Sequence, residues 1–270
     1  MKILITGSSG FIGSYLKKYF NDKHEIICTT SKILNIEDTN TVDKFFDNNF
    51  FDAILHCAVS GRNQVHSTDQ KIFNSNLKMF LNLYKNKNKF KKFINFGSGA
   101  EFGLDINIDQ YHEDMIFNRY PKESYGCSKN IIARRIRELD NFFNLRIFSC
   151  LDKTEGDDRL LKKFKRSTLQ GKKFTIENRY VDFISLYDIA LVVDAVINEK
   201  IVEKDINVVY LEKNMLSDIL NKYCDIHNID KQFIEISNTS DKNYTGSGFK
   251  LSNFNIELQG IDVALREYGE

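Results

Sequence analysis

An α/β fold built on a doubly wound parallel sheet, with a smaller and partly interleaved C-terminal lobe, is what this sequence predicts. Three observations predict it. Apolar runs alternate with amphipathic stretches through the first 150 residues, a glycine-rich turn joins the first run to the first amphipathic stretch, and the regularity loosens after residue 150. Strands alternating with helices argue for βαβ units, whose right-handed crossovers place helices on both faces of one sheet.

Taken in order, "KILITG" (2–7) reads as a buried strand and "GSYLKKYFN" (13–21) has helical periodicity. "EIICTT" (25–30) is the second strand, "TVDKFFDN" (41–48) a helix and "DAILHCA" (52–58) a strand. An amphipathic helix covers about 69–88, and "KKFINFGSG" (91–99) is the next strand. A long helix is expected over 125–143, followed by the strand "NLRIFSC" (144–150). Beyond it, 157–173 looks helical and basic, 174–197 mixes short strands with another helix, and 238–250 reads as loop-rich. The expected division is a dinucleotide-binding domain over 1–150 and a smaller substrate lobe over 151–270, with some segments returning to the core of the first.

Composition sets the outer bounds. At 270 residues and 42% hydrophobic, the chain can bury a sizeable core. Its 38 basic and 37 acidic residues are well mixed and leave a formal charge of +1, which gives no footprint for nucleic acid or a membrane surface. No apolar run approaches the roughly 20 residues of a membrane span. The N-terminal run reaches Gly-Ser-Ser-Gly too soon for a secretory signal, so a cytoplasmic protein is expected. Cys28, Cys57, Cys127, Cys150 and Cys224 are scattered, which favours reduced thiols, and the five histidines lack ligand spacing, so no metal is expected.

The chemistry begins at "ITGSSGFIGSYL". Gly7, Gly10 and Gly13 stand in GxxGxxG spacing between a strand and a helix. Gly7 permits the tight turn, Gly10 lets the backbone approach a pyrophosphate, and Gly13 lets the helix lie close to the sheet. This is the Rossmann arrangement at the first βα turn, and it points to a dinucleotide. A cofactor without a 2′-phosphate usually meets an Asp or Glu at the end of the second strand. Here the strand ends in Thr29, Thr30, Ser31 and Lys32, hydroxyls and a cation that favour NADP(H), with NAD(H) as the alternative.

These residues bring out a resemblance. "TGSSGFIG" (6–13), "DAILHCA" (52–58), "NSNLKMFLNL" (74–83), "INFGSGAEFG" (94–103), "PKESYGCSK" (121–129), "LRIFSC" (145–150) and "RYVDFISLYDIA" (179–190) follow one another as in the extended short-chain dehydrogenase/reductase superfamily. The chain resembles its nucleotide-sugar epimerase/dehydratase/reductase branch over some 190 residues. The resemblance implies that YxxxK supplies Tyr125 as acid/base and Lys129 as its partner, with Ser98 completing the triad. A phenol has an ordinary pKa near 10, and a neighbouring ammonium is expected to lower it. Ser98 is expected to hold the substrate oxygen against the tyrosine.

The same resemblance extends the cofactor set to Ser9, Phe11, Ile12, Ser31, Lys32, Asn35 and Ile36. It adds Cys57 and Ala58, placed at the end of the fourth strand, and Asn76, with Tyr125 and Lys129 shared. Substrate contacts are expected from Ser98, Gly99 and Glu101, and from Arg159 and Arg179 on the diphosphate, where a guanidinium fork suits phosphate oxygens. A homodimer is expected through the helix that carries YxxxK, with Ile131 and Ile132 as compatible apolar spots.

Three departures narrow the reaction. Ala100 replaces the Cys of the GDP-fucose-forming epimerase-reductases, and "SCLDKTEGDD" replaces the "YGP" and following His. Double epimerisation therefore lacks its acid/base pair. Gly99-Ala100-Glu101 replaces the Asp-Glu of the dehydratases. What remains is NADPH-dependent reduction of the C4 keto group of a nucleotide-diphosphate 4-keto-6-deoxy-sugar. A 4-epimerase that retains NAD is the alternative, and a non-catalytic dinucleotide sensor the second.

Overall fold

Four of the five residues in "KILIT" are buried, and Lys2–Thr6 forms β1, one strand in from the edge of a parallel sheet. The structure is a computed structural model and describes residues 1–239 and 241–269. After β1 come α1 (Phe11–Phe20), β2 (Glu25–Thr29), α2 (Thr39–Asp47), β3 (Phe51–His56), α3 (Gln70–Lys85) and β4 (Phe90–Ser98). Then follow β5 (Ile108–Tyr111), α4 (Ser124–Arg137), β6 (Phe142–Ile147), β7 (Ser149–Leu151), α5 (Leu160–Leu169), β8 (Phe174–Ile176) and β9 (Phe183–Ser185). The chain closes with α6 (Leu186–Ile197), β10 (Asp205–Asn207), α7 (Leu216–His227), β11 (Ile234–Ile236), β12 (Tyr244–Gly246), α8 (Phe249–Ser252) and α9 (Ile261–Gly269).

The main sheet runs β2-β1-β3-β4-β6-β10, every pair parallel. Successive strand residues face opposite sides. Ile3, Ile5, Leu55, Ile94 and Leu145 therefore meet α1 and α6 on one face. Leu4, Ile54 and Phe93 meet α2, α3 and α4 on the other. Ile132 belongs to that second core, so it offers no surface to a partner chain. Three two-stranded sheets, β11-β8, β12-β5 and β7-β9, carry the smaller lobe. Its strand β5 comes from the first half of the chain, while β10 of the main sheet comes from the second.

The structure departs from the expected elements in five places. The usual Rossmann order is 3-2-1-4-5-6. Here residues 30–50 hold only α2, so Cys57 and Ala58 follow the third strand in the chain, not the fourth. The helix expected over 125–143 ends at Arg137, because Asn141 takes a left-handed φ of 60° and turns the chain into β6 at Phe142. The strand expected over 144–150 is accordingly earlier, and Ser149–Leu151 leaves the main sheet to join β9. The basic helix shortens to Leu160–Leu169. The loop expected over 238–250 contains β12 and the start of α8, with Ser240 outside the described residues. Among the described residues no helix is long and apolar enough to cross a membrane.

Candidate active site

β1 ends in a turn that only glycine allows. Gly7 has φ +65°, and a Cβ there would lie 2.6 Å from the Ala58 nitrogen. The Gly10 N–H donates to Gly7 O at 2.9 Å, and Gly10 opens α1 without a side-chain cap. A Cβ on Gly13 would stand 2.4 Å from Gly7 O, so the helix seats only because that residue has none. The uncapped first turn of α1 leaves its N–H groups for an anion. A cleft of about 930 Å³ runs from this turn to Ser98. A dinucleotide's pyrophosphate fits the turn.

Gly7, Ser9, Gly10, Phe11, Ile12, Gly13, Ser31, Asn35, Ile36, Cys57 and Ala58 all line the cleft. Lys32 does not: it is exposed beside the cleft wall, because the turn after β2 points it outward. Glu37 lines the wall instead, accepting from the Ser75 hydroxyl at 2.6 Å. Asn76 is buried away from the cleft. It accepts from Ser60 N–H (2.8 Å) and donates to Ser60 O (3.2 Å) and Ser128 Oγ (3.0 Å). It thereby ties the loop after β3 to α4 and touches no cofactor position.

Ser98 ends β4 and caps the turn Gly99–Phe102. Its Oγ accepts from Ala100 N–H at 3.2 Å, and its own N–H donates to Glu101 Oε1 at 2.8 Å. Tyr125 lies in the first turn of α4, and Lys129 follows one turn later on the same face. The glycine between them has a physical reason: a Cβ on Gly126 would lie 2.4 Å from Ala100 O. Its absence lets α4 close on the Ser98 turn, and Ser98, Tyr125 and Lys129 share one cleft wall.

The electrostatics differ from the sequence expectation. Burial pushes the Tyr125 phenol up to about 12, against the opposing pull of the Ser98 hydroxyl. Burial also brings the Lys129 ammonium down to about 8, with Glu101 opposing, and Lys129 Nζ donates to Phe96 O at 2.7 Å. Desolvation dominates, so the phenol is held protonated at neutral pH and is not lowered towards it.

Two expected substrate contacts are corrected. The Glu101 carboxylate is fully buried, accepting from Arg146 Nε at 2.6 Å as well as from Ser98 N–H, so it cannot meet a sugar hydroxyl. Gly99 is roofed by Phe148 and Tyr244: a Cβ would lie 2.5 Å from the Phe148 ring and 2.7 Å from the Tyr244 hydroxyl. Arg159 and Arg179 do line the cleft, but Arg179 is paired with Asp241 and donates to Lys242 O at 3.1 Å. The sequence reading missed Arg62, Cys150 and Tyr244. Arg62 lies over the Phe11 ring, 5.5 Å from its centroid, and Cys150 is buried with its thiol pushed up to about 12. The one signal for Tyr244 was an aromatic beside the glycines of "NYTGSG".

Comparison with known proteins agrees with this layout. The model of the NAD dependent epimerase/dehydratase family matches residues 3–209. Among solved structures, GDP-mannoheptose C4 reductase from Campylobacter jejuni, with NADP bound, superposes with a TM-score of 0.83 at 17% identity. The match covers 99% of this chain and 96% of that one. A dTDP-4-dehydrorhamnose reductase from Clostridium acetobutylicum gives 0.79 at 18% identity, covering 99% and 98%. UDP-glucose 4-epimerase from Thermus thermophilus, complexed with NAD, gives 0.78 at 18% identity, covering 100% and 99%.

Proposed function

The chain belongs to the NAD-dependent epimerase/dehydratase family, and from that premise we propose that it is an NADPH-dependent nucleotide-sugar 4-keto reductase. Its substrate on this reading is a nucleotide-diphosphate 4-keto-6-deoxy-sugar, used to make an unusual sugar for a surface polysaccharide. The observation that carries the reading is a Tyr125 phenol held protonated in the cleft beside Ser98. Around the Ser98 turn stand Ala100, Phe148 and Tyr244, and the nearby Cys150 is held as a thiol. Reduction needs one proton donor at the carbonyl oxygen, whereas exchange of a proton beside the ketone needs a base as well.

A dinucleotide held by its pyrophosphate at the glycine turn would supply the hydride from its reduced nicotinamide. Tyr125 gives its proton to the substrate oxygen as negative charge develops there, and Ser98 holds that oxygen by a hydrogen bond. Lys129, anchored on Phe96 O, lends positive charge to the phenolate left behind and a donor for ribose hydroxyls. Arg62 and Arg159 both line the cleft, and this reading assigns them to the substrate diphosphate. NADPH over NADH is supported by the hydroxyls of Ser9 and Ser31 on the wall and by the absence of a carboxylate at the end of β2.

The alternative is a 4-epimerase that retains NAD, and Glu37 on the same wall favours it, since a carboxylate opposes a 2′-phosphate. A panel of 4-keto sugar nucleotides, followed by NADPH absorbance and product NMR, tests the reading. Turnover should be lost by roughly 10²–10⁴-fold in Tyr125→Phe, the usual weight of a general acid. Purified protein carrying stoichiometric NAD and ignoring NADPH would overturn reductase in favour of epimerase.

A further inference from the structure

One wall of the cleft is braced from α9. That helix buries Ile261, Ala264, Leu265 and Tyr268, an i, i+3, i+4, i+7 stripe. The stripe sets the Tyr268 ring edge-on to Tyr223, centroids 6.0 Å apart, with Lys162 Nζ 5.6 Å from its centre. The Tyr268 hydroxyl donates to Glu155 Oε1 at 2.6 Å. Glu155 is only 5% exposed, in the turn between β7 and α5, where its N–H donates to Asp152 O at 2.9 Å. Its other oxygen, Oε2, lies 3.9 Å from Nε of Arg159, the residue just before α5. Arg159 in turn lines the cleft, with its side chain 35% exposed.

Burying a carboxylate is costly unless its oxygens find partners, and a plain tie between α9 and this turn needs no charge. Here one oxygen is held by a phenol and the other faces a guanidinium on the wall of a ligand cleft. An arginine side chain is rotamer-rich, and fixing it is part of the cost of binding. We infer that Tyr268 and Glu155 are positioning residues that set the Arg159 guanidinium on the cleft wall before a nucleoside diphosphate arrives. Tyr268 fixes the carboxylate, the carboxylate steadies the Nε edge, and the terminal nitrogens remain for phosphate oxygens. Arg179 differs, because it is hydrogen-bonded to Asp241. At 3.9 Å Glu155 orients Arg159 without taking a hydrogen bond from it. That Arg159 meets a diphosphate rests on the nucleotide-sugar reading above, but not on which reaction follows.

The test is calorimetric titration with UDP, dTDP, GDP and CDP, on protein first saturated with whichever of NADP and NAD it binds. The cofactor then fills its own pyrophosphate site. For the diphosphate that the wild type binds best, Arg159→Ala should weaken binding about ten- to hundredfold, the worth of hydrogen bonds to a charged group. Tyr268→Phe and Glu155→Gln should each weaken it about two- to tenfold, the ordering of one rotamer-rich side chain. Neither should cost anything further in an Arg159→Ala background. Unchanged binding in any of the three, or losses that add in the double variants, overturns the proposal. Tighter binding in Glu155→Gln also overturns it, because the carboxylate then competes with phosphate instead of aiming the arginine. A wild type that binds none of the four overturns it as well. Should one of the two buried variants not fold, the other decides alone. In turnover, Tyr268→Phe should raise KM with kcat and cofactor affinity held, whereas a purely structural tie would lower the melting temperature and leave KM unmoved. Protein that shows the coupled diphosphate losses but ignores the 4-keto panel sinks only the reductase reading. An active reductase without the coupling sinks only the brace.

Discussion

The two halves of the main sheet are built on opposite principles. Strands β1 and β3 are filled with Ile3, Leu4, Ile5, Ala53, Ile54 and Leu55, all essentially inaccessible. On the face covered by α4, strands β4, β6 and β10 instead carry Asn95, Asn144 and Asp205 in one cross-strand row and Gly97, Arg146 and Asn207 in the next. Arg146 pairs with Glu101 at 2.6 Å and with Asp205 at 2.9 Å, and donates to Asn207 Oδ1 at 3.0 Å. Asn144 donates to Asp205 Oδ1 at 3.0 Å and accepts from Asn95 at 2.7 Å. Gly97 makes room, since a Cβ there would lie 2.4 Å from Glu101 Oε1.

The difference follows from what each half must hold. The first half positions a backbone turn, and aliphatic packing with three glycines suffices for that. The second half positions one side-chain hydroxyl, and its polar ladder ends in the Glu101 carboxylate that grips the Ser98 N–H. A buried ion pair is costly to desolvate and adds little net stability, but it specifies one geometry when every group is satisfied.

The most severe way to break this contrast is Arg146→Met, which leaves Glu101 buried without its cation and Asp205 with only Arg137, 3.6 Å away. Loss of one partner of such a pair costs about 3–5 kcal/mol, to be read from denaturant unfolding. Adding Glu101→Met and Asp205→Asn should recover part of the stability yet leave kcat depressed, because the Ser98 N–H loses its acceptor. Full recovery of kcat would refute the positioning role of the ladder. In the apolar half, Gly13→Ala drives a Cβ against Gly7 O. Overpacking of about 1–3 kcal/mol should appear as weaker NADPH binding by fluorescence titration, with the fold intact.

The mildest probe is pH, and it separates stability from activity at Lys129. Its folded value of about 8 lies below the ordinary 10.5, so burial disfavours the charged form. The penalty is present in full below pH 8 and is relieved as pH rises from 8 towards 10.5, where only the unfolded chain still binds the proton. Lys129 thus makes the fold more stable in that window while kcat/KM for reduction falls, about tenfold for each unit above pH 8. A kcat/KM that stays level to pH 10 would show that its charge is not used.

How far the site was legible depends on how local its parts are. GxxGxxG and YxxxK are spacings within one turn, so the sequence alone places Gly7, Gly10 and Gly13, or Tyr125 and Lys129, side by side. Lys32 and Glu101 misled for a shared reason: their residue types suit phosphate and sugar, but side-chain direction decides, and one faces outward while the other is turned into Arg146. The helix expected over 125–143 ran too far because "ELDNFF" continues a helical pattern across a turn that only the Asn141 conformation reveals.

By itself the sequence determined the βαβ order, the glycine turn for a dinucleotide and the one-turn spacing of Tyr125 and Lys129, since each is written in neighbouring residues and the periods of strand and helix. Only the tertiary structure decided that Tyr244 roofs Gly99, that Glu101 serves a buried ladder, and that the Tyr125 phenol is raised, not lowered. Those outcomes depend on groups far apart in the chain and on how much water their enclosure removes, and neither distance nor desolvation is carried by residue order.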